Sequence, residues 1–480
     1  MAAAAASSNP LVDDRIVEFL VDDVFDLVAL TRLPYFADHD RQTFGLVIDS
    51  ARRIARDALY PLYRPMDEAP PRLVDGRVVV HPGLRTLWPQ LVELGLIAAP
   101  RPAAVGGQQL PLAVFSLATV YLMAANLGAY GYLGLTQGAA HLLEAFAEPG
   151  LRATYMPPLY AGTWTGTMAL TEPQAGSSLA DVATTATPTG AADGHHLIRG
   201  SKIFISGGDH DLTENIVHLV LARLPDAPPG IKGISLFVIP KLREEGGKLV
   251  PNGVTCGAIE HKMGIKASPT CVINFDGAEG FLVGEPNKGM KGMFTFMNGA
   301  RLHVGVQGLA LAEAAYQGAV KFARERLQGR ALTGAKYPEL EADPILVHPD
   351  VRRMLLTIRA IVEGARAMTA WAAIEIDHAE HDPDPERAKV GDDLASLLTP
   401  MVKAFQTDLG FEACNHALQV CGGYGFTRDY GMEQLVRDCR ITQIYEGTNG
   451  IQALDLVGRK APAHMGRYLR RFFHPVQQFL

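Results

Sequence analysis

Between Gly422 and Gln452 the chain reads "GGYGFTRDYGMEQLVRDCRITQIYEGTNGIQ", and its last nine residues are free of charge except for Glu446, set between Tyr445 and Gly447. A carboxylate in apolar company is either a stability burden or a tool, because desolvation raises its pKa and readies it to accept a proton near neutral pH. At the other end of the stretch, Gly422, Gly423 and Gly425 follow one helical segment and precede another. Such glycines make either a bare helix cap and loop or a place where backbone meets a ligand.

Upstream, apolar residues recur at helical spacing in "GMFTFMNGARLHVGVQGLALAEAAYQGAVKFARERL", "PDVRRMLLTIRAIVEGARAMTAWAAIEI" and "DLASLLTPMVKAFQTDLGFEACNHALQVCG", which predicts long helices bundled over 286–460. From 161 to 285 the texture changes to β-rich runs, "HHLIRGSKIFIS", "IVHLVLARL", "GISLFVIP" and "CVINF", separated by Gly, Pro and Asp. These predict a small antiparallel barrel or sandwich. From Asp13 to about Tyr160 helical spacing returns, as in "RIVEFLVDDVFDLVAL" and "FGLVIDSARRIARDALYPLY", so 1–160 reads as a helical domain. The fold class is therefore α+β, a central β domain between a helical N-terminal domain and a C-terminal four-helix bundle.

Residues 461–480 begin a further amphipathic segment with Tyr468, Leu469, Phe472, Phe473, Val476 and Phe479 apolar. It reads as the truncated start of an extra helical region whose apolar face is covered by something further, in cis or from another subunit. "DHAEHDPDPERAKVGDD", Asp377 to Asp393, places His378 and His381 among carboxylates. It reads as a solvated acidic connector that Pro383 and Pro385 keep extended, and no metal is expected.

At 480 residues the chain exceeds one compact core, so two or three domains are expected. With 48% hydrophobic and 20% charged residues it is a packed globular protein. A net charge of -7 without a Lys/Arg run argues against a nucleic-acid partner. Cys256, Cys271, Cys414, Cys421 and Cys439 are odd in number and lack a C-x-x-C pair, which favours free thiols in a reducing cytoplasm. The opening "MAAAAASSNP" has no basic region and reads as a frayed terminus, not a targeting peptide, so the expected location is cytoplasmic. Leu110 to Leu143 holds no charged residue apart from His141, a length that permits a membrane span. Pro111, Asn126, Gly128, Gly131, Gly134 and Gly138 dilute it and divide it near Gly128, so it reads as buried helices, not a transmembrane segment. The small residues there leave room for a bound apolar chain.

Two further segments bring small or hydroxyl-bearing residues to turns. "MALTEPQAGSSLAD", Met168 to Asp181, offers Thr171, Ser177 and Ser178 with Gly176 for close backbone approach, or is simply a turn. "KIFISGG" puts Phe204 and Ser206 on a strand leading into a Gly-Gly turn, or is an ordinary strand with a buried Phe.

"ALTEPQAGSS", the Gly422–Gln452 stretch and the helix, strand, helix order together resemble the acyl-CoA dehydrogenase family over nearly the whole chain. "SGGDHDLTENIVHLVLARLPDAPPGIKGISLFVIPK", "HKMGIKASPT" and "GRYLRRFF" look closest to its large bacterial branch with an extra C-terminal helical domain, which includes enzymes of fatty acyl-CoAs and 3-methylmercaptopropionyl-CoA. The resemblance implies FAD as cofactor and an α,β-dehydrogenation of an acyl-CoA to the trans-2-enoyl-CoA, as in fatty-acid β-oxidation. Glu446 would take the pro-R α-proton while the β-hydrogen leaves as hydride to the flavin, and the backbone N–H of Glu446 with a flavin ribityl hydroxyl would polarise the thioester carbonyl. Gly447 would let backbone approach, beside Tyr445 at the substrate.

By the same resemblance, Thr171, Gly176 and Ser177 hold the flavin and pyrophosphate, Ser177 also facing substrate, with Phe204 packing by the ring and Ser206 bonding to it. Phe204 stands where Trp is common, keeping the aromatic face and losing the indole donor. Ser178 stands where Asp is frequent. Arg326 matches an arginine that reaches the FAD of a neighbouring subunit, Gln419 and Gly423 match adenine-side contacts across that interface, and Thr448, Asn449 and Gln452 belong to the same dinucleotide-binding turn. Arg301 matches the arginine near the CoA moiety; the bland reading is a helix-surface charge. A shared site implies a homo-oligomer, dimer or tetramer, with an electron-transferring flavoprotein as acceptor. The small residues from Gly128 to Gly138 suggest a medium or long acyl chain. Acyl-CoA oxidase, 3-methylmercaptopropionyl-CoA dehydrogenase, a non-catalytic DNA-associated flavoprotein of the same fold and a truncated scaffold remain the alternatives.

Overall fold

The computed structural model describes residues 9–480, apart from the side chains of residues 294–298; residues 1–8 of the Ala-rich start lie outside the described residues. Along the chain come α1 (Asp14–Phe19), α2 (Arg41–Ile54), α3 (Tyr63–Glu68), a hairpin of β1 (Arg72–Val74) and β2 (Arg77–Val79), then α4 (Pro82–Glu93), α5 (Leu112–Phe146) and α6 (Pro149–Tyr160). The strands are β3 (Trp164–Ala169), β4 (Thr185–Pro188), β5 (His196–Ser206), β6 (Asn215–Arg223), β7 (Ile234–Pro240), β8 (Leu242–Glu245), β9 (Lys248–Pro251), β10 (Val254–Ile259) and β11 (Thr270–Val283). Then follow α7 (Gly289–Glu325), α8 (Pro349–His381), α9 (Pro385–Cys421), α10 (Gly423–Phe426), α11 (Met432–Arg440), α12 (Asn449–Asp455) and α13 (Ala463–Phe479). The helical N-terminal region, central β region and C-terminal helices of the α+β reading are all present.

Two compact units organise these elements, one of residues 1–64, 110–127 and 301–480, the other of 65–109 and 128–300. In the second unit β11, β5, β4, β6 and β7 pair in a closed circuit, with β10 added on β11 and β3 on β6. That is a barrel, antiparallel except that β3 and β4 run parallel to β6. Alternation explains how β6 and β7 are buried along almost their whole length. Val217, Leu219 and Leu221 of β6, with Leu236 and Val238 of β7, pack with Ala139, Leu142 and Leu143 of α5. The intervening Val220, Ala222, Phe237 and Ile239 point the other way, into a cluster with Ile198, Ile205 and Phe275.

In the first unit α7, α8 and α9 are the long helices of the bundle. A Cβ on Gly308 would lie 2.6 Å from the Gln406 carbonyl oxygen, and one on Gly410 would lie 2.6 Å from that of Gly308, so α7 and α9 cross with their backbones in contact. Gln406 of α9 donates to Ala365 O of α8 at 2.8 Å, and Arg366 of α8 pairs with Glu313 of α7 in the interior.

Three local expectations need correction. Residues 72–79 are not helical: "RLVDGRVVV" forms a hairpin turning at Asp75 (φ 49°) and Gly76, an Asp-Gly pair of the kind that favours tight hairpin turns. The acidic connector is not extended over Asp377 to Asp393, because α8 runs on to His381 and α9 starts at Pro385. Pro385 takes the first turn of a helix, where its missing N–H costs nothing, and Asp384 caps it by accepting from Glu386 N at 3.0 Å. Asp377 is buried, receiving Leu112 N at 2.8 Å and Ala113 N at 3.1 Å, so it caps α5. The charge-poor Leu112–Phe146 segment is one helix by bonding, with a kink at Asn126 (φ -164°, ψ 88°), two residues before the expected division. In its most apolar stretch 94% of residues are buried, which makes it a core helix. The five cysteines are all buried and free.

Candidate active site

The Thr171–Ser178 loop leaves β3 in the barrel unit and is held by one residue that sequence reasoning passed over. Glu172, 3% exposed, accepts from Gln174 Nε2 (2.7 Å), Ala183 N (2.8 Å), Thr184 N (3.0 Å), Thr184 Oγ1 (2.5 Å) and Lys202 Nζ (2.7 Å). Desolvation alone raises the Glu172 carboxyl, but the Lys202 ammonium and these donors outweigh it and bring it down to about 2. Burial draws Lys202 down to about 8 against the pull of Glu172. Thr171 O accepts from Ile203 N at 2.9 Å, tying the loop to β5. Past this anchor Gly176, Ser177 and Ser178 are exposed, a Cβ at Gly176 meets nothing within 4 Å, and Ser178 Oγ donates to Asp181 at 2.7 Å.

Beside that loop β5 carries an irregularity. Lys202 pairs with Ile273 and Ile205 with Cys271, so Ile203 and Phe204 together face Val272 in a β-bulge. Phe204 takes φ 58°, a left-handed conformation rare for a bulky residue, and the residue is 59% exposed. The ordinary-strand reading, with a buried Phe, does not hold. Ser206, two residues on, is half-buried and pairs with Thr270.

The Glu446 turn lies in the bundle unit, between the end of α11 and the start of α12. Glu446 has φ 53° and Gly447 φ 85°, two consecutive left-handed residues, so the chain doubles back at the carboxylate. Position 447 suits only glycine, since a Cβ there would sit 2.8 Å from Gln452 Nε2. Gln452, 1% exposed, donates to the carbonyls of Gly447 (3.0 Å) and Glu446 (3.3 Å). Thr448 caps α12 through Ile451 N at 3.4 Å. Asn449 Nδ2 donates to Asp408 at 2.7 Å and Thr407 Oγ1 at 2.9 Å, Lys403 Nζ donates to Asn449 Oδ1 at 2.7 Å, and Gln443 donates to Asp408 at 2.7 Å. Tyr445 OH donates to Gln307 of α7.

Within this turn the Glu446 carboxylate and backbone N–H have no hydrogen-bond partner among the described residues. Desolvation raises the carboxyl above its usual range, opposed by the charges of Lys403 and Arg301. Arg301 is not a helix-surface charge: it is 2% exposed and bonds Asp455 at 2.7 Å, and its Nε has no partner among the described residues. The structure thus gathers Tyr445, Glu446, Gly447, Thr448, Asn449, Gln452 and Arg301. Lys403, a lone charge in "LLTPMVKAF", and Gln307 join them; the isolated lysine was the one available signal.

Gln419, Gly423 and Arg326 form a separate group in the same unit. Gln419 lies in the last turn of α9, its carbonyl accepting from Gly422 N at 3.0 Å, and Gly423 is exposed at the start of α10. Arg326, also exposed, lies 5.5 Å from the ring of Tyr424, which packs against Phe322 and Tyr430.

Family models for the N-terminal, middle and C-terminal domains of acyl-CoA dehydrogenase match residues 44–163, 167–278 and 287–461. The chain belongs to the acyl-CoA dehydrogenase family. It is 43% identical over 461 residues, 95% of this chain and 77% of the relative, to the 3-methylmercaptopropionyl-CoA dehydrogenase of Ruegeria pomeroyi. A butyryl-CoA dehydrogenase of Syntrophomonas wolfei is 33% identical over 98% of this chain and 79% of its own length. Among solved structures, butyryl-CoA dehydrogenase from Megasphaera elsdenii superposes with a TM-score of 0.71 at 26% identity, covering 88% of this chain and 98% of that one. Acyl-CoA dehydrogenases are FAD-dependent flavoproteins that oxidise a CH–CH bond, so this protein is an oxidoreductase with FAD as its cofactor.

Proposed function

We propose that the protein oxidises the acyl chain of a CoA thioester to the trans-2-enoyl thioester, with Glu446 as the base that removes the α-proton. The observation that carries this reading is the state of Glu446: a half-buried carboxylate with no hydrogen-bond donor among the described residues, its basicity raised by desolvation, on a turn whose own N–H is unpaired among them. That N–H is a donor free to polarise a thioester carbonyl, which acidifies the α-carbon facing the base. Bound FAD supplies the acceptor for the β-hydride. Glu446 takes the proton onto a carboxylate oxygen, and the electron pair of the Cα–H bond becomes part of the new double bond as the β-hydride leaves.

The residues fit a flavin dinucleotide. Phe204 offers an open aromatic face, Gly176 leaves room beside the Ser177 hydroxyl, and the anchored Thr171 and half-buried Ser206 add hydroxyls for ring-edge bonding. Gln419, Gly423 and Arg326, with the turn of Thr448, Asn449 and Gln452, are proposed to take the rest of the cofactor across a subunit interface. That arrangement rests on the family likeness and makes the protein a homo-oligomer, dimer or tetramer. Arg301 we assign to the CoA side of the substrate, Tyr445 and Gly447 to the acyl side. Electrons are proposed to pass to an electron-transferring flavoprotein in the cytoplasm, where five reduced thiols are stable.

For the acyl group we infer a short chain, with 3-methylmercaptopropionyl-CoA and butyryl-CoA as first candidates. Both are the substrates that name relatives alignable over more than nine-tenths of this chain. Of the α5 glycines that favour a medium or long chain, Gly128 serves packing, since a Cβ there would lie 2.9 Å from the Ala267 Cβ, whereas one at Gly131 meets nothing within 4 Å. The test is anaerobic titration of the holoprotein with 3-methylmercaptopropionyl-, butyryl-, octanoyl- and palmitoyl-CoA, following the oxidised flavin absorbance. Bleaching by the short thioesters that disappears in Glu446→Gln is the expected result. Bleaching by octanoyl- or palmitoyl-CoA alone overturns the chain length, and bleaching by none overturns the activity.

A further inference from the structure

We propose that Lys403 is a positioning residue for the Glu446 base: its ammonium, held on Asn449, fixes the turn that carries Glu446 and keeps the carboxylate ionised. The inference rests on the reading of Glu446 as the base. Lys403 is 0% exposed on α9, an expensive place for an ammonium unless something fixed needs it. Its ammonium donates to Asn449 Oδ1 at 2.7 Å, three residues beyond Glu446 at the first position of α12. The other face of the Asn449 amide is locked by Thr407 and Asp408, one turn along α9, and Asp408 also takes Gln443 on the entering side of the turn. Residues 443 to 449 are therefore pinned at both ends to the same helix face, with Glu446 between the pins.

The charges around the base come from three elements. Lys403 and Arg301 both act on Glu446 as nearby positive charges; Asp408 faces Lys403, and Asp455 of α12 already bonds Arg301. Arg301 bonds Asp455 directly, whereas Lys403 has only a neutral amide as hydrogen-bond partner among the described residues, and its charge acts on Asp408 and on Glu446. Burial draws Lys403 itself down to about 8, so it is charged across the neutral range in which the base must be free of its proton. Tyr445, beside Glu446, is pushed well up by burial and stays neutral.

The test is the pH dependence of kcat/KM for the holoprotein with butyryl-CoA or whichever thioester it turns over. In Lys403→Met the acid limb, where Glu446 must lose its proton, should move up by about one to three pH units, the range by which one adjacent charge shifts a carboxyl. Lys403→Arg, which keeps the charge, should hold the limb near its wild-type position even where the plateau falls. A residue that only stabilises the bundle would lower melting temperature and plateau together and leave the limb in place, and that result in Lys403→Met overturns the proposal. If Lys403→Met does not fold, Lys403→Gln against Lys403→Arg decides: a limb that moves in Gln and not in Arg supports the role, and equal limbs overturn it. A wild-type protein that turns over no acyl-CoA would instead remove the reading of Glu446 on which the proposal depends.

Discussion

Glu172 and Glu446 are both carboxylates withdrawn from water, and burial moves them in opposite directions. Glu172, the more deeply buried, collects five donors including the Lys202 ammonium and is brought down to about 2. Glu446, only half-buried, has no donor among the described residues and is pushed up. Burial alone therefore does not make a base; what decides is whether an opposite charge and hydrogen-bond donors reach the carboxylate directly, as Lys202, Thr184 and Ala183 do at Glu172. At Glu172 the carboxylate ties the loop next to Thr171 to Ala183, Thr184 and Lys202 of β5. At Glu446 two consecutive left-handed residues make a strained turn that Gln452 and Asn449 hold in place, and among the described residues no amide of that turn bonds the carboxylate.

Removing one partner of the satisfied carboxylate has the largest expected effect on stability. Lys202→Ala leaves Glu172 buried with its charge uncompensated and should destabilise the barrel unit by about 3–5 kcal/mol in chemical denaturation, with Glu172→Gln/Lys202→Met recovering part of the loss. A loss under about 1 kcal/mol would mean that Glu172 is as unsupported as Glu446. Acid should then separate the two sites. Because Glu172 titrates at about 2 when folded against an ordinary 4.5, the unfolded chain binds the proton first as pH falls. Its stabilisation is whole above about pH 4.5, is lost on descending to about pH 2, and amounts to roughly 3 kcal/mol that Glu172→Gln should not show. The smallest change is expected at the turn itself: Gly447→Ala places a Cβ in the left-handed region and against Gln452 Nε2, costing about 1–2 kcal/mol in thermal melts. Turnover should suffer more than stability there, and an unaltered kcat would show that the doubled-back turn is not needed.

The elements easiest to read from sequence were those whose pattern carries its own physics. The apolar runs of β6 and β7 and the three long bundle helices fall where periodicity puts them, and the one carboxylate in "IYEGTNGIQ" identified the turn. The misread parts are places where one residue type has two uses. Pro385 reads as a breaker inside an acidic run, yet at the first turn of a helix it is a starter. The strands β3 and β4 pair parallel to β6 at their neighbours' choosing, and their own "WTGTMA" and "TATP" hold little β signal. Nothing in the side chains of Phe204 or Glu446 announces a positive φ; tertiary context imposes it on both. Glu172 and Lys202 lie thirty residues apart in a loop and a strand, and only folding reveals that they are one device.

The contrast between the two carboxylates is tested most directly by α-proton exchange. The holoprotein would be incubated in deuterium oxide with an acyl-CoA that lacks β-hydrogens, so that only proton removal at the α-carbon is read, and deuterium incorporation followed by mass spectrometry. Wild-type protein and folded Glu172→Gln should exchange the α-hydrogen, and Glu446→Gln should lose that exchange by about two to four orders of magnitude. Exchange that persists in Glu446→Gln, or that vanishes in folded Glu172→Gln instead, would contradict the assignment of Glu446 as the base.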